Sequence, residues 1–199
     1  MDERIFQRLT EFKYLLGTMD TTSIVQSHIA FGDSYILDFN QYFNIKAEVA
    51  DHFGIHHSEV LLVGSGKMGF SIAPSKRYRE FHDKSDIDLA IVSPHLFDMV
   101  WQKVFDYWSE KSLWIEEEQN IFKSYLFRGW IRPDKLPPAE QFEFRRDWWE
   151  FFLRLTNGEA YGPYQIRAGL YKSWHFFEKY QCICVDGCKQ DALATIGVE

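Results

Sequence analysis

Two short apolar runs constrain this chain more than any other feature: Val60–Val63 (VLLV) and Ile87–Val92 (IDLAIV). The first has no polar break, which is the pattern of a strand buried on both faces. Gly64 closes it and Ser65 follows. In the second run Ile87, Leu89 and Ile91 alternate with Asp86, Asp88 and Ala90. That period of two puts both carboxylates on one face of a strand, with their β-carbons roughly 7 Å apart. Pro94 ends the run, and Leu96, Val100, Val104 and Trp108 then recur at helical spacing. The centre of the chain therefore reads strand, loop, strand, helix.

The flanks are mostly helical in pattern. Ile5, Leu9, Phe12, Leu15 and Leu16 mark a helix over 3–16, and Thr21, Thr22 and Ser23 are candidate caps for a second. Residues 35–53 predict a helix ending at Gly54. Residues 121–131 fit helix or strand equally. The segment RPDKLPPAEQ, with Pro133, Pro137 and Pro138, is a turn-rich connection. A helix is expected over 141–155, a strand over 164–173 and a terminal helix over 174–180. The expectation is an α+β fold: a small mixed β-sheet core with helices on one face and N- and C-terminal helical additions. Residues 1–58 form an N-terminal helical segment packed on the core, 59–132 the core itself, and 133–199 an extension of the same domain.

With 46% hydrophobic and 26% charged residues, the chain can bury a core and is not expected to be disordered. A net charge of −7 disfavours a duplex nucleic-acid binder, which usually carries a basic face. Lys76, Arg77 and Arg79 form a local basic patch whose plain reading is a solvated loop. No apolar run approaches the ~18 residues of a membrane helix, and no apolar leader follows Met1, so a cytoplasmic protein with no membrane partner is expected. Cys182, Cys184 and Cys188 lie close together near the C-terminus. Their spacing lacks a fourth zinc ligand, and reduced thiols in a frayed tail are the expectation.

The two halves of the central motif suit one chemistry. Two carboxylates this close repel each other, and one pKa rises unless a cation sits between them. Hard oxygen ligands suit Mg²⁺ or Mn²⁺, which completes its shell with water and substrate phosphate. Gly64 and Gly66 can leave backbone N–H groups free to face an anion. Ser65 can donate its hydroxyl to a phosphate oxygen, and Lys67 supplies charge beside it. The candidate metal ligands and catalytic residues are thus Asp86 and Asp88; the candidate nucleotide-binding residues are Gly64, Ser65 and Lys67.

The sequence GSGKMGF followed by SDIDLAIV resembles the signature of the DNA polymerase β-like nucleotidyltransferase superfamily, with Gly64, Ser65, Asp86 and Asp88 at the matching positions. The resemblance covers Val60 to about Tyr107. It implies a nucleoside triphosphate substrate, first of all ATP, two Mg²⁺ ions, and attack by an acceptor hydroxyl on the α-phosphate with loss of pyrophosphate. The acceptor would be a partner protein or a nucleotide or oligonucleotide, as in toxin modification or antiviral signalling. The resemblance also implies a third carboxylate from a later strand. Glu116, Glu117, Glu118, Asp134 and Asp147 are the candidates, and the 164–173 strand contains no acid. The alternative is a catalytically inactive nucleotidyltransferase-fold module that binds a protein partner. Tyr161, Tyr171 and Trp174 are candidates to stack on a base, and His56, His57 and His82 are left outside the site.

Overall fold

The computed structural model describes residues 2–110 and 113–196. Its centre is a four-stranded mixed sheet in the order β1-β2-β4-β3. These strands are β1 (Val60–Val63), β2 (Ile87–Val92), β3 (Trp130–Ile131) and β4 (Ile166–Tyr171). β1 runs antiparallel to β2, β4 runs parallel to β2, and β3 closes the far edge antiparallel to β4.

Alternation along the strands sorts the core into two layers. Val60, Leu62, Ile87, Leu89, Ile91, Ile166 and Leu170 face one apolar cluster. It is covered by α3 (Phe39–Phe53), α5 (Pro94–Ser109) and α7 (Glu143–Asn157), which contribute Ile45, Val100, Trp148 and Phe152. Leu61, Ala90, Val92 and Tyr171 face the second cluster. That cluster is closed by α1 (Glu3–Thr18), the short α2 (Thr21–Ile24) with the π-helical turn Val25–Ala30, and α8 (Trp174–Ile196). The terminal additions expected from the sequence thus cover the face that the central helices leave open.

The central pattern reads out as expected, with β1, β2 and α5 at their predicted places. Elsewhere the boundaries move for local reasons. Asp20, not Thr21 to Ser23, caps α2 by accepting from the Ser23 N–H at 2.9 Å. α3 begins at Phe39, because the Asp38 carboxylate and the Gln41 side chain form a reciprocal capping box. The ambiguous 121–131 segment divides: α6 (Glu116–Phe127) ends in a turn and β3 follows. α8 runs on to Ile196, so the three cysteines sit on a packed helix with Cys184 and Cys188 buried. The tail is not frayed there, because that face of α8 covers the second apolar cluster. β4 lies beside β2 in the middle of the sheet, so the core reaches past the 59–132 segment. Among the described residues no helix is long and apolar enough to cross a membrane.

Candidate functional site

Asp86 and Asp88 stand at the entry to β2, on the same face as Ala90 and Val92. Register sets their neighbours. Asp88 pairs with Val63 of β1 on one side and with Arg167 of β4 on the other. Val63 is the last residue of β1, so the chain turns at Gly64 directly beside Asp88. Gly64 has φ +67°, a left-handed conformation, and opens the five-residue helix α4 (Gly64–Met68). A β-carbon on Gly64 would stand 3.1 Å from Asp88 Oδ2. The glycine bend and the carboxylate therefore share one small space.

A cleft of about 750 Å³ opens over this corner, within the range of ligand pockets. Gly64, Ser65, Asp86 and Asp88 all line it. Its basic residues are Lys76, Arg79 and Lys84 from the 71–85 loop, together with Arg132 and Arg167. Glu80 and Asp134 are the remaining acids. Five basic side chains thus face four acidic ones in a chain of net charge −7, which makes this cleft locally suited to an anion.

Electrostatics inside the corner follow from burial. Desolvation, and then the neighbouring charge of Asp86, push the Asp88 carboxyl up to about 6; Arg167 and Lys76 oppose them. Asp86 is partly relieved by Arg167, whose Nη1 lies 3.5 Å from Asp86 Oδ2. The same guanidinium donates through Nη2 to the Gln165 side-chain oxygen at 2.7 Å.

Lys67 is not part of this cleft. Its side chain is 1% exposed, runs beneath the bend, and donates from Nζ to the Gly32 carbonyl at 2.5 Å. The ammonium also lies 5.4 Å from the centre of the Tyr42 ring. The backbone around it is tied to the same segment, with Tyr35 N–H donating to the Lys67 carbonyl and Ile36 N–H to that of Gly66. Burial lowers its pKa to about 8, partly offset by the charge of Asp33. Lys67 is a strut between α4 and the 31–36 segment, because α4 turns that position away from the strand mouth and into the core. Charge beside the bend comes instead from Lys76 and Arg167.

The third-carboxylate candidates also resolve. Glu116, Glu117 and Glu118 are the exposed first turn of α6 and do not line the cleft. Asp147 is on α7 and pairs with His52 at 3.0 Å. Asp134 does line the cleft, but Arg132 binds it through Nε at 3.0 Å and Nη2 at 2.9 Å, and Lys135 Nζ is 3.4 Å away. Its pKa is lowered: the Arg132 and Lys135 contacts outweigh a desolvation that acts the other way. Asp134 is thus committed as a counter-ion.

Among the aromatic candidates, Tyr171 lines the cleft and stacks on Trp130 with ring centres 5.5 Å apart and planes 7° apart. Tyr161 is buried and hydrogen-bonds Glu48, while Trp174 packs edge-on against Phe177. Trp130 and Arg167 are among the cleft residues that the sequence pattern did not single out. Trp130 lies across Gly169, where a β-carbon would come within 2.6 Å of Nε1. A glycine inside an apolar strand is the one sequence signal of that close approach.

Asp86 and Asp88 are the two cleft carboxylates at the Gly64 bend, and among the described residues no three His, Cys, Asp or Glu side chains form a group able to hold a metal ion. Magnesium is commonly held by one or two carboxylates, with phosphate and water filling the remaining positions. Asp86 and Asp88, before an open cleft with a basic wall, fit an ion that arrives with a phosphate.

The chain matches no protein-family model, no curated protein and no solved structure in these comparisons.

Proposed function

We propose that this protein is a Mg²⁺-dependent nucleotidyltransferase of the DNA polymerase β-like type, moving a nucleoside monophosphate from a nucleoside triphosphate, first of all ATP, to a hydroxyl acceptor. One observation carries the reading: Asp86 and Asp88 share a strand face, and Asp88 lies against the Gly64 bend within a basic-walled cleft. Asp86 and Asp88 would hold the metal, which supplies charge neutralisation at the phosphates. Gly64 and Ser65 offer backbone and hydroxyl donors to phosphate oxygens, and Lys76, Arg79 and Lys84 add positive charge along the loop. In the transfer the acceptor oxygen bonds to the α-phosphorus, the bond from that phosphorus to the bridging oxygen breaks, and pyrophosphate leaves with that oxygen. The acceptor proton passes to solvent. The chain's acidity disfavours a large nucleic-acid acceptor, so a partner protein or a small nucleotide is the acceptor proposed here.

The test is incubation with each α-labelled triphosphate and Mg²⁺, alone and with lysate. Label should move to a product, with pyrophosphate released, and the Asp86→Ala/Asp88→Ala double variant should abolish both. Wild-type protein indistinguishable from that variant would defeat the reading.

Arg167 favours a second reading. It occupies the register position beside Asp88 and pairs with Asp86. A nucleotide-binding module without transfer, serving a protein partner, would use the cleft this way. It would bind nucleotide but release no pyrophosphate, and Asp88→Asn would leave partner binding intact.

A further inference from the structure

We propose that Arg167 is a phosphate-binding gate on the carboxylate pair, so that metal and triphosphate must arrive together. The inference rests on the nucleotidyl-transfer reading and concerns the regulation of that same site.

Asp86, Asp88 and Arg167 project from one face of two parallel strands, with Asp88 and Arg167 in direct register. The guanidinium Nη1 is 3.5 Å from Asp86 Oδ2, where it occupies ground that a divalent ion on Asp86 would need. Two cations cannot share that carboxylate without repulsion. The pair is nonetheless easily opened. Its side chains are 51% and 32% exposed, and ion pairs this wet are weak. Arg167 is also tethered by the hydrogen bond to Gln165, its near neighbour on the same strand end. An arginine released from Asp86 remains on the wall of the cleft that Lys76, Arg79 and Lys84 also line. A planar guanidinium suits phosphate oxygens. Metal alone must therefore displace Arg167 without recompense. Metal with triphosphate displaces it onto a new anion.

Titration of the purified protein with Mn²⁺ alone, tripolyphosphate alone, and each in the presence of the other tests this. In wild type each ligand should tighten the other, with Mn²⁺ binding weakly alone. Arg167→Ala should tighten Mn²⁺ alone, weaken tripolyphosphate by about tenfold, as loss of a charge-assisted hydrogen bond implies, and reduce the mutual coupling. Arg167→Lys keeps the charge but not the fork. It should keep Mn²⁺ weak while recovering only part of the phosphate affinity. A purely structural residue would weaken both ligands together. That result, or Arg167→Ala binding both as wild type does, overturns this inference and leaves the nucleotidyl-transfer reading standing. A folded wild type that binds neither ligand overturns both.

Discussion

The Asp88 carboxylate and Gly64 are packed so closely that the side chain of alanine at position 64 would stand 3.1 Å from Asp88 Oδ2. The bend also holds φ at +67°, which costs an L-residue about 1–2 kcal/mol. Gly64→Ala is therefore expected to lose stability by about that amount, lowering the melting temperature by a few degrees. It should also weaken Mn²⁺ binding, because Asp88 must shift. Thermal unfolding and metal titration of the same sample check both. An alanine variant with unchanged melting and unchanged Mn²⁺ affinity would show that this contact does not shape the site.

Asp88 gives the proposed metal site a pH dependence with a definite sign. Its folded-state pKa of about 6 lies above the ordinary value of 3.8, so the fold favours the protonated acid. Its contribution to stability is present below about pH 4 and is lost as pH rises through 6. Metal-free wild type should thus pay for the charge at pH 7.5, and Asp88→Asn should be the more stable protein there, with the advantage shrinking toward pH 4. Mn²⁺ should stabilise wild type more at pH 7.5 than at pH 5, since protons compete for the carboxylate. Urea unfolding at the two pH values, with and without Mn²⁺, measures these differences. A pH-independent gap between wild type and Asp88→Asn would refute the assignment.

What the sequence made legible was the part fixed by local pattern. The period-two alternation in IDLAIV placed both aspartates on one face, and the glycine at the end of VLLV placed the bend. Nothing local told that β4 would lie parallel beside β2, so Arg167, 81 residues downstream, could not be placed against Asp86. Lys67 misled for a related reason. A lysine next to a phosphate-type bend reads as a ligand contact, but α4 turns its side chain under the bend, where the Gly32 carbonyl is a ready acceptor. Asp134 reads as a free acid until the two basic neighbours that neutralise it are seen folded onto it.

Lys67→Met separates these roles. The folded-state pKa of Lys67 is about 8 against an ordinary 10.5, so wild type gains stability from this group as pH rises from 8 toward 10.5. The methionine variant lacks that gain. It should be within about 1 kcal/mol of wild type near pH 7.5, where a lost hydrogen bond trades against a relieved burial of charge. It should then fall behind at pH 9.5. Tripolyphosphate affinity should change by less than about threefold, since no charged contact to the ligand is removed. A large loss of phosphate binding with stability unchanged at both pH values would return Lys67 to the cleft.

The last prediction concerns how the basic loop is held. Arg77 does not join Lys76 and Arg79 at the cleft; its guanidinium crosses to α8, pairs with Asp191 and lies against Gly187. A β-carbon at position 187 would overlap that guanidinium. Gly187 is otherwise an ordinary interior helix position, where alanine gains about 0.5–1 kcal/mol. Two effects of opposite sign therefore meet at one site. In the wild-type background Gly187→Ala should displace Arg77 and loosen the 71–85 loop, seen as faster amide exchange there. In an Arg77→Ala background the overlap is gone, and the same substitution should stabilise the protein. Unfolding free energies for the four proteins of the cycle give the coupling directly. If Gly187→Ala stabilises both backgrounds equally, the loop is not anchored through Arg77, and the position of Lys76 and Arg79 over the cleft needs another support.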